Sequence, residues 1–239
     1  APAHYGGDRL FVYLRVEGDD NGKTDAALER IRASGQPLLR LDLRDRHDLG
    51  AEFFRWQFAT AVAGSMLGIH PFDQPDVQQA KDSAESLLVR YQAAGSFPNP
   101  RPTPSFRELL GQAKAGDYLA LMVYAQPTPD LEAALAHLRA VVMERYHIAT
   151  TFGYGPRYLH STGQLHKGGP DTGLFLQIIP PIGPDVAIPG KSYTFGVLMQ
   201  AQALGDLMTL QERGRRVAQL VLTEDVVHDI EGLTAHLSA

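Results

Sequence analysis

The sequence predicts an α/β protein built on a parallel sheet with helices on both faces. Short β-branched and aromatic runs alternate with longer segments of helical apolar spacing. The chain of 239 residues, 44% of them apolar, is long enough to bury a real core. Four prolines, Pro98, Pro100, Pro102 and Pro104, then divide it into a first α/β unit (1–97), a connection (98–105) and a second α/β unit (106–239).

The elements follow in order. Residues 10–16 read as a strand rich in Val, Phe and Tyr, broken by Gly18 and Gly22. Thr24 caps a helix ending near Gly35, with Ala27, Leu28 and Ile31 as its apolar face, and Pro37 leads into a strand over 38–43. Asp48 or Leu49 opens a longer helix. Its closely spaced Phe53, Phe54, Phe58, Val62 and Met66 suit an inward-facing element. After Pro75 a helix runs over 76–94 and is stopped by Gly95. Beyond the prolines, 106–113 is helical and 118–124 a strand. Asp130 caps a helix defined by Leu131, Ala134, Leu135, Leu138 and Val142. Strands over 148–152 and 174–179 precede a helix or strand-to-helix junction at 191–204 and a helical stretch at 207–213. A strand over 217–222 and a helix over 224–237 close the chain. Residues 53–64 and 193–205 are both aromatic-led, alanine-containing and glycine-ended, a loose repeat that supports two related halves.

Composition narrows the function classes. A formal charge of -5 gives no general attraction for phosphate backbones, and Arg213, Arg215 and Arg216 read as the solvent-facing end of a helix, so nucleic acid is not the expected partner. Cysteine is absent, which excludes disulfides, thiolate metal sites and thiol catalysis and suits a reducing, cytoplasmic setting. No apolar run approaches the roughly 20 residues of a membrane-spanning helix, so no membrane is expected. The start, Ala1-Pro2-Ala3-His4, lacks the basic and apolar regions of a signal peptide and an initiator methionine, and reads as the start of an excised piece.

Two segments look chemical. In Phe72-Asp73-Gln74-Pro75-Asp76-Val77-Gln78-Gln79-Ala80-Lys81, Pro75 pre-sets a first helical turn where Asp76 favours the dipole. Lys81 follows about one and a half turns later. From there an ammonium can reach an anionic oxygen, although a solvent-facing lysine is the simpler local reading. The second segment, residues 153–170, follows a strand, where parallel sheets keep their ligands. It joins five glycines to His160, Ser161, Thr162, Gln164 and His166. His160 has the chemistry for proton exchange near neutral pH, and a glycine-rich turn with structural histidines weighs equally. The six-residue spacing from His160 to His166 fits no zinc motif, and the glycines form neither a dinucleotide fingerprint nor a P-loop.

Both segments resemble phosphoglucose isomerase, particularly the isomerase portion of bacterial fusions with transaldolase. Phe72 to Lys81 is similar to the family signature ending in its active-site lysine. His160-Ser161-Thr162-Gly163-Gln164 is similar to the segment whose first histidine opens the sugar ring. Tyr193 to Leu198 and Gln202 to Leu207 also resemble the fusions. The resemblance implies a three-layer, sugar-isomerase-like (SIS-like) fold and interconversion of glucose 6-phosphate and fructose 6-phosphate through a cis-enediol. It implies a phosphorylated hexose as substrate and no metal or other cofactor. His160 is the ring-opening group and Lys81 assists proton transfer or stabilises negative oxygen, while Gln164, Ser161, Thr162 and Gln74 contact substrate.

Two departures qualify the resemblance. The family's glutamate and its serine/threonine-rich phosphate pocket are not assigned to positions in this sequence, Glu144 lacking the surrounding motif. Lys81 also precedes His160, by 79 positions, where the ordinary isomerases have the reverse order. Upstream isomerase and transaldolase portions, or a homo-oligomeric partner, are the expected sources of what is missing. The enzyme reading predicts that Lys81 and His160 converge in one polar cleft. A non-catalytic sugar-phosphate-binding module and a dimerisation module are its rivals, the latter predicting a large apolar surface near the 98–105 connection with the two residues far apart.

Overall fold

The structure, a computed structural model, describes residues 5–7, 9–181 and 183–238. Residues 1–4, on which the reading of the chain's start rests, lie outside it. The chain divides into two compact units, Ala1–Asp73 and Gln74–Ala239. That division falls well before the four prolines, and the helix carrying Lys81 belongs to the second unit, where it packs along a helix more than a hundred residues later.

The first unit pairs β1 (Phe11–Val16) with β2 (Leu38–Leu43) in parallel. Helix α1 (Gly22–Ala33) joins them, tied to β1 by the Tyr13 hydroxyl, which donates to Asn21 and Asp25 at 3.0 Å. Helix α2 (Leu49–Leu67) follows, and here the structure corrects the sequence reading. Phe53, Phe54, Phe58, Val62 and Met66 do not face inward: Phe54 is 70% and Met66 83% exposed. Apolar spacing states that a surface favours burial; it does not state that this chain supplies the cover.

The second unit is a three-layer α/β structure. Its strands are β3 (Tyr118–Val123), β4 (Ala149–Tyr154), β5 (Gly173–Ile179) and β6 (Arg216–Val221), all parallel in the order β4-β3-β5-β6. Alternation in the central strands feeds two cores. Leu119, Leu121, Val123, Leu174, Leu176 and Ile178 pack under α5 (Pro129–Tyr146) and α8 (Val226–Ser238), with α4 (Phe106–Leu110) beside them. Ala120, Met122, Tyr124 and Phe175 pack on the other face with Ala203, Leu207 and Leu210 of α7 (Phe195–Glu212). Helix α3 (Pro75–Ala94) lies outside α7 and antiparallel to it, Ala84 meeting Gly205 and Gln92 reaching Ser192. A Cβ on Gly205 would sit 3.2 Å from the Ala84 backbone nitrogen, so glycine there sets the helix spacing.

Three local readings change. Thr128, not Asp130, caps α5, its hydroxyl accepting from Leu131 N–H. The stretches expected at 191–204 and 207–213 share one continuous helix, α7, which begins only at Phe195 and ends at Glu212. Arg213 does end α7 with its side chain 44% exposed, but Arg215 and Arg216 lie beyond the helix and are largely covered, and all three act as staples. Arg213 pairs with Asp76, Arg216 donates to Asp117 at 2.6 Å, and Arg215 donates to the carbonyls of Lys167 and Gly169 at 2.7 and 2.6 Å. Among the described residues no helix is long and apolar enough to cross a membrane.

Candidate functional site

The glycine-rich segment after β4 is ordered by its own glycines. Gly153 and Gly155 are close-packing positions: an added Cβ would come within 2.6 Å of Tyr158 Cβ in the first case and of the Tyr124 ring in the second. The chain can therefore fold back on the strand as a 3₁₀ turn, Arg157–His160, followed by the short helix α6 (Gly163–Gly168). His160 ends the turn with its side chain exposed. The Ser161 and Thr162 hydroxyls turn back to the Tyr158 carbonyl at 3.1 and 3.4 Å, holding the turn and leaving their oxygens able to accept.

Helix α3 meets this segment at its first turn. The Gln164 carboxamide oxygen accepts from the Asp76 backbone N–H at 2.9 Å, and its nitrogen donates to Asp76 Oδ2 at 2.7 Å. One side chain thus satisfies an orphan donor of the helix N-terminus and part of a buried carboxylate, across 88 positions of sequence. Arg213 completes the Asp76 carboxylate from the end of α7 and also reaches Gln79 at 2.9 Å. The two segments singled out in the sequence are therefore joined, through Gln164 and Asp76.

The remaining candidates sit around that junction. Gln74 is the exposed residue before α3. Lys81 lies roughly 7.5 Å further along the axis and about 140° round from Asp76. It is aligned with Ala84 and Leu88, which are buried, but its own side chain is exposed. The junction fixes the first turn of the helix that bears Lys81. Gln164, expected on the substrate, has both ends of its amide engaged by Asp76.

Beneath the segment lies a polar core that the sequence reading left unassigned. Lys167 and Asp206 are each 1% exposed and form an ion pair. The Tyr158 hydroxyl donates to Asp206 Oδ2 at 2.6 Å and meets the Tyr124 hydroxyl at 3.1 Å. Burial pushes both phenols well above their ordinary range, so both remain protonated donors. Since Tyr158 gives its proton to Asp206, Tyr124 must donate to Tyr158. His166 packs between Tyr158 and Phe175, and neither ring nitrogen has a hydrogen-bond partner among the described residues. Burial lowers its pKa to about 4, which makes it a neutral core histidine.

A cavity of about 820 Å³ opens over the carboxyl ends of β3, β4 and β5. The connections after β3 and β5 diverge there, the topological position at which open parallel sheets bind ligands. Tyr124, Gln126, Tyr154, Arg157, Asp185 and Met199 contribute to its wall. Asp185 accepts from the Gly196 N–H at 2.8 Å and so occupies the amino end of α7. The Thr194 hydroxyl and that N–H hold its carboxyl below the usual range. Arg157 supplies a cation to the wall. It begins the turn that His160 ends, yet neither His160 nor Lys81 lines the cavity. The sequence signal for Arg157 is its place just after a strand end, in the segment that carries His160.

No family model matches the chain. A probable glucose-6-phosphate isomerase of Natronomonas pharaonis is 34% identical over 90 residues, covering 37% of this chain and 20% of that protein. A glucose-6-phosphate isomerase of Leptospira biflexa is 35% identical over 95 residues, covering 32% of this chain and 21% of that protein. A solved structure, of a hypothetical protein from Thermus thermophilus, overlaps 98% of this chain and 57% of its own, with a TM-score of 0.43 and 21% identity. The chain spans about a fifth of the length of these two curated relatives. The partial matches link it to glucose-6-phosphate isomerases at the level of the family.

Proposed function

We propose that the chain is part of a glucose-6-phosphate isomerase, the carboxy-terminal part of a parent in which transaldolase is fused to the isomerase, working in the cytoplasm. The observation that carries the reading is the Gln164–Asp76 junction. It joins the two isomerase-like segments although their order along the chain is reversed. In this reading His160 moves a proton between ring oxygen and hydroxyl as the hexose opens, and Lys81 steadies the negative oxygen of the enediol. In this reading Ser161 and Gln74, which are exposed, and Thr162, which is half-buried, contact the substrate hydroxyls. Gln164 acts through Asp76 as a positioning residue, and Arg157 offers a cation to the phosphate. The missing glutamate and phosphate pocket come from the rest of the parent.

The test is conversion of fructose 6-phosphate to glucose 6-phosphate by the full-length parent. His160→Ala is expected to lower turnover about 10²–10⁴-fold, the usual worth of a positioned general acid–base. Lys81→Ala should lower it about 10²-fold. Turnover near that of the parent in the double substitution would overturn the assignment. A second reading, a dimerisation module, is favoured by the exposed aromatic side chains of α2. Sedimentation of the full-length protein with Phe54→Ser and Phe58→Ser decides it, an unchanged mass counting against a self-association role.

A further inference from the structure

We propose that Tyr158, Asp206 and Lys167 form a buried positioning chain that holds the His160 turn in one conformation. Its catalytic meaning rests on the reading of His160 as the ring-opening group. A fully buried ion pair is weak evidence for stability, because well-packed apolar side chains of similar volume often do as well. The Lys167–Asp206 pair, each member 1% exposed, is better explained by what it fixes.

Asp206 lies mid-helix in α7, a rigid element packed on the sheet. Its carboxylate takes the Lys167 ammonium from α6 and the Tyr158 hydroxyl from the 3₁₀ turn, at 2.6 Å. Lys167 is held from the other side, its carbonyl accepting Arg215 at 2.7 Å. Tyr158 is the node. Its ring is anchored to Asp206, while its carbonyl collects the Ser161 and Thr162 backbone N–H groups at 3.0 and 2.9 Å. His160 stands between those two anchorages. The directed order Tyr124 to Tyr158 to Asp206 admits one hydroxyl arrangement, so the turn has one seat. Tyr124 also lines the cavity over the strand ends, which ties the position of His160 to the cavity wall.

Two variants of the full-length protein test the chain. Tyr158→Phe keeps the ring and removes both hydroxyl bonds. Lys167→Met with Asp206→Leu removes the pair together and leaves no lone buried charge. Turnover of fructose 6-phosphate, the thermal midpoint and the His160 Cε1–H nuclear magnetic resonance signal are read for each. The expected result is a 10- to 100-fold lower kcat, roughly the range for a catalytic group displaced by about an ångström, with KM within about twofold. The His160 signal should broaden or move while the midpoint changes by a few degrees. An unchanged His160 signal and unchanged kcat in folded variants would overturn the proposal and leave the isomerase reading standing. If the unmodified protein does not isomerise the sugar, that reading falls, and the His160 signal alone decides the positioning chain. Should the double variant not fold, Tyr158→Phe decides by itself.

Discussion

Gln164→Ala is the substitution whose cost follows most directly from the geometry. It removes a hydrogen bond from the Asp76 backbone N–H at 2.9 Å and one to the Asp76 carboxylate at 2.7 Å. The first is a neutral acceptor, worth about 1 kcal/mol net, and the second is charge-assisted, worth about 1.5–3 kcal/mol. Arg213 remains on the carboxylate, so Asp76 is not left uncompensated. The sum is about 3 kcal/mol, which for a unit of this size lowers the thermal midpoint by about 6–12 °C. A double-mutant cycle with Asp76→Ala isolates the carboxamide–carboxylate bond of the junction from the general effects of truncation, since the Asp76 backbone N–H is present in every variant. Urea denaturation of the two single variants and the double variant should return a coupling of about 1.5 kcal/mol or more. A coupling below about 0.5 kcal/mol would mean that the carboxamide–carboxylate bond does not hold the two segments together, and that half of the junction would fail.

Two further outcomes are expected. Since the folded-state pKa of His166 is lowered to about 4, the unfolded chain takes up a proton below pH 6.5 that the folded chain refuses. Stability should therefore fall by about 2 kcal/mol between pH 7 and 5, continue falling towards pH 4 and level off beneath it. Denaturation of His166→Leu should lack that slope above the carboxylate range, and an undiminished slope would exclude His166 as its source. Gly168→Ala places a Cβ within 2.5 Å of Gln164 Nε2 and closer still to Asp76 Oδ2. It should match the midpoint loss of Gln164→Ala and add little to it when the two are combined, whereas full additivity would show that the methyl disturbs something other than the junction.

Where local chemistry decides the backbone, the sequence was readable. The strand at 38–43 has the expected limits, and the helix after Pro75 ends at Gly95, whose φ of 72° suits a glycine cap. Where distant partners decide, it was not. The arginines at 213, 215 and 216 look like a solvated cluster because Asp76, Asp117 and the Lys167 carbonyl lie 137, 99 and 48 positions away. Lys167 carries no readable role in the sequence for the same reason, its partner Asp206 standing in another helix. The cap of α5 was misread because Thr128 and Asp130 flank Pro129 and both suit the end of a helix; the N-cap geometry picks the threonine. Of the site, the two segments could be picked out in advance, Gln164 among their residues. Its task could not, since a carboxamide serves a backbone N–H and a sugar hydroxyl equally well.

Helix α2 offers a practical consequence of its uncovered side. Trp56, the single tryptophan of the chain, lies on this helix and is 42% exposed. An indole half in water emits at longer wavelength than one sealed in an apolar contact. The native fluorescence of the protein, with no label attached, is thus a direct optical gauge of whether the Trp56 side of α2, which lies across the helix from Phe54 and Phe58, is wet or covered, and a concentration series read at the Trp56 emission maximum reports the change as it happens.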